Sequence, residues 1–246
     1  MTAPRSDKRS STAVVVVLLA IVAFAIARGS IRLSEGQLVF FAVLIPSIIL
    51  HEVSHGWVAR LFGDDTAQQA GRLTLNPIAH VDPFGSIILP AILIFTTGAG
   101  FGYAKPVPVN PRKMRHPRND GLLTSLAGPA VNIVLAVLVG LVARFTMSHV
   151  QIYDALYAPH SAPLADVILV NFGLVNVFLA AFNLIPIPPL DGSAVVERLL
   201  PLKWWPQYLR IRQYSMLLVF FLVFSVRGAL DHVFNPAIDL WFRLLR

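Results

Sequence analysis

The chain has 246 residues, of which 56% are hydrophobic and 13% charged, and its mean hydropathy is +0.68. A soluble domain is about a quarter charged, so this composition excludes one and points to a polytopic membrane protein set in a lipid bilayer. The net charge of +7 fits Lys and Arg beside anionic lipid, no interleaving of aromatic and basic residues suggests a nucleic-acid partner, and the lack of cysteine leaves only His and carboxylates as metal ligands.

Residues 1–12 are polar, carry Arg5, Lys8 and Arg9, and are expected to form a cytoplasmic tail. Ala13 to Ala27 is continuously apolar and stops at Arg28-Gly29. A basic start and a short apolar core also describe a signal peptide. No small-x-small cleavage site leads into a soluble stretch, so an uncleaved first transmembrane helix is expected. Leu38 to Phe62 is the second span, ended by Gly63-Asp64-Asp65, and its internal Pro46 should kink the helix or free a carbonyl one turn before His51. Phe84 to Thr97 is apolar over only about fourteen residues, short of the ~20 needed to cross, and is expected to be re-entrant.

The glycines at 98, 100 and 102 allow a return, and the prolines at 106, 108 and 111 hold Lys105 to Pro111 extended, at the cytoplasmic border of the site. Arg112, Lys113, Arg115 and Arg118 make this the most basic connection. Gly121 to Phe145 is the next span, Thr146 to Pro163 has no Lys or Arg, and Leu164 to Ile185 follows with Asn171, Asn176 and Asn183 inside it. Glu197 to Arg212 reads as a basic interfacial helix broken at Pro201 and Pro206. Tyr214 to Val226 or a little beyond is the last span, with Pro236 to Arg246 along the interface. The expected fold is all-α, with about five full transmembrane helices and one re-entrant segment. It forms a single domain over 13–246 with its core at 38–192 and no separate soluble domain.

The chemistry lies in His51-Glu52-Val53-Ser54-His55. On a helix, residues four apart share a face, so His51 and His55 can address one metal ion with Glu52 beside it. Two imidazoles and a free carboxylate suit zinc, which activates water and polarises a carbonyl while Glu52 takes the proton: the chemistry of peptide hydrolysis. Histidines satisfied inside a core are the bland alternative, but ionisable groups in a segment this apolar are expensive and usually functional. No glutamate lies between Glu52 and Glu197, and positions 58 and 61 are Val and Leu, so the third ligand must be an aspartate or histidine. The candidates are His80, Asp82, His116, Asp120 and Asp191. Asp191 alone ends an unambiguous span, yet Asp-Gly after Pro-Pro is equally a turn signal.

The chain resembles the site-2 proteases, intramembrane zinc metalloproteases, in a minimal form without a PDZ-like or CBS-like domain. The resemblance rests on His51-Glu52-x-x-His55, on Asn183-Leu184-Ile185-Pro186-Ile187-Pro188-Pro189-Leu190-Asp191-Gly192, and on Gly128-x-x-x-Asn132. It implies one Zn2+ bound by His51, His55 and Asp191, with Glu52 as general base. It also implies that Asn183, and with it Asn132, helps to hold substrate, and that the substrate is a single-pass membrane protein. His51 and Asp191 both lie towards the C-terminal ends of their helices, so those helices must run in the same direction. With the basic connections cytoplasmic, the N-terminus and the opening of the site face the cytoplasm across a cell membrane. Two alternatives use the same residues: a metal transporter, which should carry an inverted repeat that is not visible here, and a catalytically silent membrane adaptor, which would be free to lose Glu52.

Overall fold

The structure is a computed structural model describing residues 28, 35–82, 104–225, 228 and 230–246. The expected tail at 1–12, the first span at Ala13 to Ala27 and the re-entrant segment at Phe84 to Thr97 lie outside the described residues. Among the described residues the protein is all-α with no strand. Three of the described helices are long and apolar enough to cross a membrane, over Leu38–Leu61, Pro117–Thr146 and Leu164–Asn183.

These three make the framework. Helix α1, Glu35–Leu61, has Glu35 in its first turn and Arg60 in its last, each complementing the helix dipole, and the chain leaves it through Gly63 at φ 105°. Pro46 is accommodated inside it. A short α2, Thr66–Gln69, and a 3-10 turn, Pro77–His80, follow. Helix α3, Pro117–Thr146, starts on a proline, where the missing N–H costs nothing, and the His116 N–H before it is accepted by Asp120 at 2.7 Å. Helix α4, His149–Tyr157, begins with a capping box between Ser148 and Gln151 and leads to α5, Leu164–Asn183.

The buried face of α3 carries Gly128, Asn132, Ala136, Val139, Gly140 and Ala143 at intervals of one helical turn, and α5 answers with Val167, Val170, Gly173, Val177 and Ala180. Small residues at such a seam let backbones approach closely, which is how helices associate in lipid. The large apolar side chains left exposed, Val134, Leu138, Val142 and Phe145 among them, suit lipid rather than water.

Three contacts give the helix directions. Glu35 at the start of α1 meets His160, just before α5, at 3.0 Å, while His51 late in α1 meets Asp191, beyond α5, at 3.0 Å. Helices α1 and α5 are therefore parallel, as the shared depth of the two motifs requires. The Arg115 N–H, at the start of α3, donates to Phe62 O, after the end of α1, at 3.2 Å, so α3 runs the opposite way between them.

The C-terminal third departs from the expectation at Pro206. Pro201 does interrupt the helical run, separating α6, Ser193–Leu199, from a 3-10 turn at Leu202–Trp204 and from α7, Trp205–Arg212. Pro206 breaks nothing, because it falls in the first turn of α7, where proline is tolerated. Of the expected last span, the described part is α8, Ser215–Ser225, and residues 226 and 227 lie outside the described residues. The segment expected along the interface is the second half of α9, Asp231–Leu245, which packs against the bundle through buried Trp241 and Leu245. Trp241 fits because Gly140 and Gly173 present no Cβ where its ring lies, and its Nε1–H donates to Ala136 O at 2.9 Å.

Candidate metal centre

One turn apart on α1, His51 and His55 stand edge to face with ring centroids 4.8 Å apart, both buried. They point at α3 where it carries Gly128. A Cβ at that glycine would lie 2.5 Å from His55 Nε2 and 2.6 Å from His51 Nε2, so α3 can come this close only without a side chain.

The turn after α5 brings the third group. Its backbone closes on itself: Gly192 N–H donates to Asn183 O at 2.6 Å and Leu190 N–H to Ile187 O at 2.9 Å, while Ile185 and Leu190 are buried beneath. A Cβ at Gly192 would collide with Leu184 O, which explains the glycine of Leu-Asp-Gly. Asp191 Oδ2 is thereby placed 3.0 Å from His51 Nε2 and 3.4 Å from His55 Nε2. The three residues offer ligand atoms that all lie within 4.8 Å of one another, and among the described residues no other such group of His and carboxylates occurs. A donor set of two imidazoles and one carboxylate fits a zinc ion with an open fourth position.

The other candidates for the third ligand lie elsewhere. His80 is buried with Nε2 2.9 Å from Thr74 O, His116 caps α3, Asp120 is occupied by that cap, and Asp82 is not part of the group. Asp191 is both ligand candidate and turn residue, so the two readings of it were never exclusive.

Glu52 is half-buried and outside the three-residue group. Its Oε2 accepts the Val107 N–H at 2.9 Å. The residues from 104 to 110 have no regular structure and border the site as the proline pattern predicts, held by residues the sequence did not single out. Buried Arg72 donates to Ala79 O and, at 2.5 Å, to Lys105 O. Burial lowers its pKa, and the nearby Glu52 charge acts in the opposite direction. Fully buried Asp64 accepts the Asn110 N–H at 2.5 Å. Gly56, one residue past His55, makes room for this segment, since a Cβ there would lie 3.1 Å from Val107 Cγ1 and 2.5 Å from Leu73 Cδ2.

The two asparagines expected to hold substrate are placed differently from each other. Asn183 is half-buried at the end of α5, its Nδ2 donating to Leu179 O at 2.9 Å. Asn132 is fully buried behind His51, its Oδ1 2.5 Å from His51 Nδ1 and its Nδ2 2.6 Å from Asn176 Oδ1. Its position faces the back of the His51 ring. Asn176 and Ser47 complete that buried layer, and the only sequence signal for them is a polar side chain in an apolar helix.

The chain is similar to known proteins. The sequence model described as "Peptidase family M50" matches residues 39–167 and 147–226. "Putative zinc metalloprotease YwhC" of Bacillus subtilis is 45% identical over 159 residues, which cover 64% of this chain and 67% of that protein. "Putative zinc metalloprotease Rip2" of Mycolicibacterium smegmatis is 32% identical over 222 residues, 88% of this chain and 76% of that one. "Zinc metalloprotease MJ0392" of Methanocaldococcus jannaschii is 24% identical over 166 residues, 68% of this chain and 35% of the relative. No solved structure matches. The family match spans the helix of the two histidines, the glycine and asparagine of α3 and the turn of Asp191, and on it this chain belongs to peptidase family M50, to which the site-2 protease motifs pointed.

Proposed function

We propose that the protein is an intramembrane zinc metalloprotease that cleaves peptide bonds in or near the transmembrane segments of membrane proteins. The observation that carries the reading is the convergence of His51 Nε2 and His55 Nε2 on Asp191 Oδ2 at 3.0 and 3.4 Å, from two parallel helices inside an apolar bundle. His51, His55 and Asp191 would hold one zinc ion, which when bound supplies Lewis-acid activation of water and of the scissile carbonyl.

Glu52 is the general base: adjacent to the ligand pair but not part of it, it takes the proton of the attacking water and passes it to the leaving amide nitrogen. The Val107 N–H on Oε2 fixes the carboxylate and leaves its other oxygen for that task. A peptide bond in an intact helix is shielded by its own hydrogen bonds, so the substrate must unwind locally, and its freed backbone groups need partners in lipid. Asn183, half-buried beside the turn of Asp191, keeps one amide hydrogen and its carbonyl oxygen to supply them, the other hydrogen being given to Leu179 O. The preferred substrate is a single-pass protein, whose isolated span is easier to unwind than a packed one. The basic end of the bundle faces the cytoplasm of a cell membrane, and the site opens on that side.

The test is cleavage of a model single-span substrate by purified protein, with zinc content measured alongside. Glu52→Gln should lower the cleavage rate by about 10²–10⁴-fold with zinc retained. Absence of zinc-dependent cleavage by the unaltered protein would overturn the protease reading, full cleavage by Glu52→Gln would overturn the role of Glu52 as base, and zinc-dependent ion flux through vesicles, unaffected by the substitution, would favour a transporter.

A further inference from the structure

The polar side chains buried behind His51 form a continuous hydrogen-bonded line through all three framework helices. Ser47 on α1, Asn132 on α3 and Asn176 on α5 each have 0% exposure. The line has a direction, because its far ends are backbone carbonyls, which can only accept. Ser47 Oγ lies 2.8 Å from Val43 O, so the hydroxyl hydrogen points there and the oxygen accepts from Asn176 Nδ2 at 2.9 Å. The second hydrogen of Asn176 Nδ2 goes to Phe172 O at 2.8 Å. Both hydrogens are then used, which turns Asn176 Oδ1 towards Asn132 Nδ2 at 2.6 Å. Asn132 must in turn present Oδ1 to His51 Nδ1, at 2.5 Å.

An amide oxygen at that distance requires a proton on Nδ1. In the neutral ring the lone pair is then on Nε2, the atom that faces Asp191. His55 reaches the same state by a shorter route, its Nδ1 donating to Thr124 O at 2.7 Å. We propose that Asn132 and Asn176 are positioning residues that lock His51 as its Nδ1–H tautomer and aim Nε2 at the metal, and that the Thr124 carbonyl does this for His55. Partners of this kind fix ring orientation and ligand basicity. A reversed Asn132 amide would set Nδ2 against His51 and favour a proton on Nε2, where it blocks ligation, and the two carbonyl anchors oppose that reversal. The location matters too: in a bundle set in lipid, no water is at hand to substitute for a missing partner.

The inference rests on the zinc reading only for the use made of Nε2, so its test starts without metal. The full chain is labelled with 15N-histidine, stripped of zinc and studied in micelles at a pH where the rings are neutral, with signals assigned through single His→Gln variants. His51 and His55 should each show a single Nδ1–H tautomer. Asn132→Leu should give His51 mixed tautomers, leave His55 unchanged and weaken zinc binding by about 10–100-fold in a chelator competition. Asn132→Asp, which keeps an acceptor on Nδ1, should retain the tautomer. A predominantly Nε2–H ring at His51 in the unaltered protein overturns the proposal, as does an unchanged tautomer and zinc affinity in folded Asn132→Leu. Should the leucine variant fail to fold, the spectrum of the unaltered protein decides alone. A locked Nδ1–H ring in a protein that binds no zinc would leave the lock standing and defeat the function proposed above.

Discussion

Gly128 shows how narrowly the ligand pair is fitted. The imidazoles of His51 and His55 occupy the space a methyl group would take, at 2.6 and 2.5 Å from its carbon, so Gly128→Ala must displace either the rings or α3. The expected outcome is a fall in zinc affinity of about tenfold or more, comparable with the loss of a supporting hydrogen bond to a ligand, with helix content preserved. Undiminished zinc content and cleavage in that variant would show that the rings have room to move. This demand was partly legible beforehand. The spacing of His51 and His55 is a local property of one helix, and the sequence states it directly; that Gly128 and Asn132 meet those histidines depends on how three helices pack. A buried carboxamide signals only that some partner exists, and the structure gives Asn132 the His51 ring as that partner. Asn183 and Asp191 lie together because the turn that joins them, with its close Gly192, is again local.

Between the helices, the segment at 104–110 is the element whose placement the sequence described least completely. Its prolines indicate an extended course but not the anchors: Arg72 on Lys105 O, Asp64 on the Asn110 N–H, and Glu52 on the Val107 N–H. Asp64 is the most heavily used, since it also accepts from the Thr66 N–H at 3.0 Å and the Thr66 hydroxyl at 2.5 Å. Asp64→Ala removes the acceptor of half-buried donors at Thr66 and Asn110, a loss of about 0.5–1.5 kcal/mol for each hydrogen bond. The variant should unfold at lower temperature and exchange the Val107 and Asn110 amides faster. Cleavage should fall too, because the Glu52 carboxylate loses the N–H that orients it. Slower cleavage with unaltered amide exchange would instead place the effect of Asp64 outside this segment. The correction at Pro206 has a similar origin: its residue type is visible in the sequence and its position within the first turn of α7 is not. Nor does the sequence show that a notch at Gly140 and Gly173 receives Trp241 of α9.

At the scale of the whole molecule, the arrangement sorts charge by end. The end holding the site carries Arg112, Lys113, Arg115 and Arg118 before and within the first turn of α3, with Arg198 and Lys203 after α5. Arg118 ties the two groups together by donating to Arg198 O at 2.8 Å and Leu200 O at 2.9 Å. The opposite end holds Glu35, His160 and the connection from 146 to 163, which has no Lys or Arg. Arg144, Arg243 and Arg246 are exceptions where α9 finishes against α3, with Arg144 donating to Leu244 O at 3.2 Å, and Arg28 and Arg32 precede α1 in the sequence. These five weigh less than the six named at the site end together with Lys105, Arg210 and Arg212, so the positive-inside rule favours the proposed orientation, with the site end cytoplasmic. The chain has no cysteine, so single introduced cysteines report cleanly on this. With a membrane-impermeant thiol reagent, Arg112→Cys and Lys203→Cys should label only in inverted vesicles, and His160→Cys and Tyr157→Cys only in right-side-out ones. If all four reverse, the orientation is wrong while the parallel course of α1 and α5 stands. Labelling of Arg112→Cys and His160→Cys from the same side would contradict the parallel course itself, because Glu35 meets His160 at one end and Phe62 meets Arg115 at the other.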